Sequence, residues 1–192
     1  MLTCLIRESL KSSNIFSAFE KQLTTLPKSS LKELRCDAMN KGNIWEDFCV
    51  EYLKLKKYEN VMLLKNVEKS ELEKVGLSSR DMGIDILATK DEKKVAVQCK
   101  FRAKRGVTWR DIATFEALCA RSGPWFEHIV MTNSGYIHRE GTNIKDVNMT
   151  RSTFQKLERH EWCLLAGYGE GQRIGGGEIN RDKWLQQIAV RP

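Results

Sequence analysis

The sequence predicts an α/β fold, a sheet flanked by helices with a small helical segment ahead of it. Three observations carry that expectation. Residues 84–101 hold two apolar runs joined by a polar turn, the pattern of a strand pair. A segment opening at Gly42 puts Trp45, Phe48, Cys49, Tyr52 and Leu53 on one helical stripe. Further on, Ile112, Phe115, Leu118 and Cys119 recur at helical spacing before another apolar run at residues 128–132. The order is helix, three strands, helix, strand.

In chain order, residues 3–23 show helical spacing through Leu5, Leu10, Ile15, Phe16, Phe19 and Leu23, and Pro27 breaks it. Ser29 or Ser30 can cap a second helix through Leu31, Leu34 and Met39. Residues 1–40 thus read as an N-terminal helical segment packed on the core, and residues 41–192 as the main domain. Asn43 is a reasonable N-cap with Glu46 three residues on, in capping-box fashion, for a helix running to about Lys57. Residues 60–66 read as the first strand and residues 68–80 as a charged loop. Residues 84–89 form the second strand, and Asp91-Glu92 the turn. Residues 95–101 then alternate, with Val95, Val97, Cys99 and Phe101 on one face and Ala96, Gln98 and Lys100 on the other. A helix starts at Thr108 or Asp111 and stops at Ser122-Gly123-Pro124. After the strand at 128–132, residues 150–159 read as a helix and 162–166 as a short strand. Residues 167–177 hold six glycines without Gly-Lys-Ser/Thr, so they are a loop and not a phosphate-binding P-loop. A last helix covers 181–189.

Composition narrows the class. With 41% hydrophobic and 30% charged residues in 192, the chain can build one globular core. No apolar run approaches the roughly 18 residues of a membrane span. The opening Met1-Leu2-Thr3-Cys4 lacks the features of a secretory signal. Six widely spaced cysteines read as buried free thiols of a reducing, intracellular compartment, cytoplasm or nucleus, and neither they nor the three histidines show zinc-ligand spacing. A net charge of +7 favours a polyanionic partner.

The chemistry concentrates around residues 83–110. Asp85 lies between Ile84 and Ile86-Leu87-Ala88, in a run that reads as buried, where an unpaired carboxylate is costly. Gly83 before it permits an unusual backbone or a close approach. If the two strands pair, an acid, an amide and an amine (Asp85, Gln98 and Lys100) converge. A strand with one wet face would show Gln98 and Lys100 with no chemistry at all, but seven Lys or Arg and no Asp or Glu follow between Lys93 and Arg110. Asp85, a hairpin, then Gln98-Cys99-Lys100 resembles the PD-(D/E)xK nuclease superfamily in its D…QxK form, found in the Mrr-like branch and in type ISP restriction enzymes. The resemblance runs from the helix carrying Glu46, through Thr108-Trp109-Arg110, to His128-Ile129-Val130-Met131-Thr132-Asn133. No proline precedes Asp85, and Gln98 replaces the acid of the superfamily's name.

That resemblance implies a restriction-endonuclease-like αβββαβ core, a mixed central sheet flanked by helices. It implies a metal-dependent endonuclease hydrolysing DNA with Mg²⁺ (or Mn²⁺). Asp85, the Gln98 side-chain carbonyl and the Cys99 backbone carbonyl would hold the ion, with Glu46 as an added carboxylate and Lys100 acting on the attacking water. Arg102, Lys104, Arg105, Thr108, Trp109, Arg110 and Asn133 are the candidate nucleic-acid contacts. A silent binding module of the same fold and a nuclease acting on RNA are the competing readings. The closing Arg191-Pro192 resembles the start of a helicase element, which suggests a nuclease domain joined to a translocase, and double-strand cutting suggests a homodimer.

Overall fold

The computed structural model describes residues 1–26, 41–78, 83–103, 105–138 and 145–169. The elements expected at 31–39 and 181–189, most of the glycine-rich stretch, and Lys104 lie outside the described residues. Two compact units are present, one of Met1–Thr25 with the chain from Gln155 onward, the other of Leu26–Phe154.

In the larger unit, α3 (Lys41–Leu55) leads into β1 (Glu59–Leu63), a 3₁₀ turn (Leu64–Asn66) and the short helix α4 (Lys69–Glu73). Then come β2 (Ile86–Lys90), β3 (Lys93–Lys100), α5 (Trp109–Arg121), β4 (Glu127–Thr132), β5 (Asp146–Met149) and α6 (Arg151–Gln155). The sheet order is β1-β2-β3-β4-β5, antiparallel among the first three strands and parallel from β3 onward. This is the mixed, helix-flanked sheet with the αβββαβ order expected, extended by one edge strand.

β3 is covered on both faces. Val95, Ala96 and Val97 are fully buried and Gln98 nearly so. Ala96 and Val130 pack with Ile112, Phe115 and Leu118 of α5. From α3, Trp45 stacks on Phe48 and meets Phe101 and Phe154, and its indole N–H donates to Met131 O at 3.3 Å. The alternation along β3 therefore separates two cores, not a dry face from a wet one. Lys90 pairs with Lys93 across a two-residue turn in which Asp91 (φ 49°) and Glu92 (φ 62°) are both left-handed, a geometry that matches strand twist and fixes the register.

Several expectations need correction. The stretch at 3–23 is two helices, α1 (Leu2–Ser9) and α2 (Ile15–Thr25), because Asn14 Oδ1 accepts from Ser17 N and starts a new one. α3 begins at Lys41, so Asn43 is not its cap and Glu46 is no capping-box partner. β1 ends at Leu63, where Leu64 N turns to donate to Asp85 O. The charged stretch at 68–78 contains α4 and buries Leu72, Val75 and Leu77 against the α5 side of the core. The helix expected at 150–159 stops at Gln155, because extended Glu158 caps the next helix, α7 (Arg159–Leu165), with Glu161 bonding back to its N–H. α7 occupies the place of the strand expected at 162–166, since a short apolar run does not distinguish the two. β5 carried no sequence signal strong enough to be expected.

In the smaller unit, Phe16 and Phe19 of α2 meet Trp162 of α7 at centroid distances of 6.3 and 6.0 Å, and Arg7 donates to Ala166 O at 3.1 Å. Among the described cysteines, Cys49, Cys99, Cys119 and Cys163 are buried free thiols as expected, while Cys4 is exposed. No described helix is long and apolar enough to cross a membrane.

Gly83 has φ +128°, and a Cβ there would lie 3.0 Å from Phe115 N and 3.2 Å from Leu118 Cδ1. Gly83→Ala is expected to cost about 1–3 kcal/mol, read as a lower urea midpoint at unchanged slope.

Candidate active site

Asp85 sits where the β2–β3 ladder becomes irregular. Ile86 pairs with Val97, and the Asp85 N–H also donates to Val97 O at 2.8 Å. Two residues of one strand share one residue of the other, as at a β-bulge, a feature that re-aims side chains. Beyond it the Cys99 N–H donates not to a backbone carbonyl but to Asp85 Oδ2, at 2.7 Å. The carboxylate is thereby held at the end of the strand pair, beside the residues Gln98-Cys99-Lys100.

Burial raises the pKa of Asp85, with the Cys99 N–H and the Lys100 ammonium pulling the other way. Glu46, projecting from α3, is pushed up to about 6, first by burial and next by the nearby Asp85 charge, with Lys65 and Lys100 opposing. Glu46, Asp85 and Lys100 thus feel one another's charge although they come from three separate elements. Gln98 is 2% exposed, and its Oε1 makes no hydrogen bond to any described residue. A buried amide carbonyl without a donor costs about 1–3 kcal/mol. Behind this corner the Cys49 and Cys99 thiols are buried, and that burial pushes both pKa values up, so they pack as neutral groups.

The remaining candidates gather on the segment leading into α5. Asp111 is its hub. Arg105 grips it with two bonds of 2.8 Å, Arg102 Nη2 reaches it at 2.6 Å, and the Thr108 N–H and hydroxyl each donate at 2.9 Å. These contacts, Arg105 foremost, hold the Asp111 carboxyl well below the usual range. Asn133 is 1% exposed, and its amide clasps the backbone of Arg102 through Oδ1 and Nδ2, both at 2.7 Å. Ser134 Oγ donates to Arg105 O. Arg105, Thr108, Trp109, Arg110, Asp111 and His138 line an open hollow of about 580 Å³, with the Trp109 ring partly exposed.

Sequence reading missed Lys65, which the 3₁₀ turn carries toward Glu46, and His138 at the hollow. It treated Asp111 only as a helix start, although the Thr-x-x-Asp spacing from Thr108 signals a reciprocal cap.

Residues 51–162 match the family model Mrr_cat_2, a restriction endonuclease, over more than half of the chain. The chain belongs to this restriction endonuclease family. No curated protein and no solved structure matches it. The matched span takes in Asp85, Gln98, Lys100 and the Asp111 hub, while Glu46 precedes it. Membership supports a nuclease domain of the restriction-endonuclease class.

Two measurements address this geometry. In the metal-free protein, Glu46 should titrate near pH 6 by carboxyl-detected NMR, and Asp85→Asn should lower that value because it removes the like charge. Asp111 has a depressed pKa, so its contribution to stability is present above the unfolded carboxyl range and is lost as pH falls through the folded value. Asp111→Asn should therefore lower Tm at pH 7, with the gap to wild type narrowing toward pH 3.

Proposed function

We propose that this nuclease is a Mg²⁺-dependent endonuclease that cuts DNA at the Asp85–Gln98–Lys100 corner. The single observation carrying the proposal is the buried Gln98 Oε1 without a hydrogen-bond donor, on the strand whose neighbouring Cys99 N–H holds a carboxylate that burial disfavours as a charge. A hard cation with oxygen ligands is the partner such groups lack. Asp85, Gln98 Oε1, the Cys99 carbonyl oxygen and Glu46 would hold it. Gln98 contributes no charge, and the Glu46 carboxylate makes good the deficit.

When bound, the ion makes a water nucleophilic near neutral pH and absorbs charge building on the phosphate. Lys100, one position beyond Cys99, would orient the attacking water and, as an ammonium, stabilise the developing negative charge. The Cys99 N–H fixes Asp85 so that its free oxygen keeps one direction. Arg105 and Arg110, with Lys104, contact backbone phosphates and position the duplex without reading sequence. Asp111 neutralises part of the charge of Arg102 and Arg105 but orders them, which exchanges raw attraction for placement. Trp109 offers an exposed ring face for stacking. Thr108 and Asn133 act by holding the loop, through Asp111 and the Arg102 backbone respectively.

The test is cleavage of supercoiled plasmid with Mg²⁺, Mn²⁺ or EDTA. Wild type should nick or linearise it only with metal, and Asp85→Ala and Lys100→Ala should each lose roughly 10²-fold or more in rate. Binding without metal-dependent cutting would make the fold a binding module, and cleavage confined to RNA would reassign the substrate.

A further inference from the structure

Glu116 of α5, His128 of β4 and Asp146 of β5 meet away from the Asp85 corner, one ligand atom of each lying within 4.8 Å of the others. The topology produces this meeting. His128 and Asp146 are in-register partners of the parallel β4–β5 pair, so their side chains leave one face side by side, with His128 Nδ1 and Asp146 Oδ1 3.4 Å apart. α5 lies over that face, its Phe115 ring edge-on to His128 at 6.4 Å, and this delivers the adjacent Glu116. Glu127, one residue before His128, is taken up elsewhere, accepting from Tyr58 and Lys90. The His128 and Asp146 side chains are only 11% and 9% exposed. The cluster is separate from the Asp85 corner. His128 pairs with Ala96, two residues short of Gln98, or roughly 6.6 Å along the strand, and Asp146 is two strands over from β3.

Two carboxylates this close repel, and burial weakens the solvent screening that would relieve them. An imidazole with two carboxylates is a donor set for a borderline divalent ion, whereas Mg²⁺ favours oxygen alone. We propose that Glu116, His128 and Asp146 bind a divalent ion of the zinc class at a second site, tying α5 to the outer strands β4 and β5. The ligands come from three elements, so they leave no spacing in the sequence.

Zn²⁺ alone is the probe, titrated calorimetrically under thiol-reducing conditions into Glu46→Gln/Asp85→Asn, in which the first corner has lost its carboxylates. One equivalent should bind and raise Tm. Adding His128→Asn should weaken binding by at least about 10–100-fold, the scale on which even outer partners of a metal site act. Adding the shape-conserving Glu116→Gln instead should weaken it too, and that variant decides the matter if His128→Asn does not fold. No zinc uptake by the double variant, or uptake that Glu116→Gln leaves unchanged, would overturn the proposal and leave a proton-held cluster. Neither result bears on cleavage at Asp85.

Discussion

The hydrogen bond from the Cys99 N–H to the Asp85 carboxylate is the contact on which the geometry of this corner rests. It stands where β2 and β3 would otherwise continue their ladder, and it exists because the bulge at Val97 turns Asp85 toward the strand. The bulge depends in turn on what precedes it. Gly83 passes close against α5 with a backbone that other residues adopt at a cost, and Ile84 anchors beside it in the core. Burial of β3 on both faces then holds Gln98, Cys99 and Lys100 in register with this anchored carboxylate.

Two acidic centres in the same unit have opposite characters. Asp85 and Glu46 are withdrawn from water and near each other, so their charged forms are disfavoured. Asp111 is surrounded by donors and two guanidinium groups, so its charge is favoured. At the first pair burial outweighs the opposing charge of Lys65 and Lys100, which supports the proposal of an ion there beside the unsatisfied Gln98 Oε1. The second has its demand met from within the chain. It serves as a clamp, fixing cations that a free loop would leave to wander, and Asn133 completes the clamp from behind through the Arg102 backbone.

Much of the sheet was legible because its strands obey short-range rules. The Asp91-Glu92 turn, the alternation in 95–101 and the Thr108 start of α5 all follow from local chemistry, and the structure keeps them. The misreadings share a cause. Residues 162–166 form a run too short to carry a period, and β5 (Asp146–Met149) is a four-residue edge strand that gains its identity only by lying beside β4. Leu72, Val75 and Leu77 are apolar residues scattered among charges, and only packing against α5 reveals them as core.

The sequence by itself determined the α/β order, the buried acid at Asp85 and the Gln98-Cys99-Lys100 strand facing it, because each is written in adjacent residues. Tertiary structure alone decided the bulge that aims Asp85, the charge that Glu46 and Lys65 bring to it, and the pairing of Arg102 and Arg105 with Asp111. It also decided the meeting of Glu116, His128 and Asp146. Electrostatic coupling and burial depend on distance through the folded chain, and residue spacing along the sequence does not encode that distance.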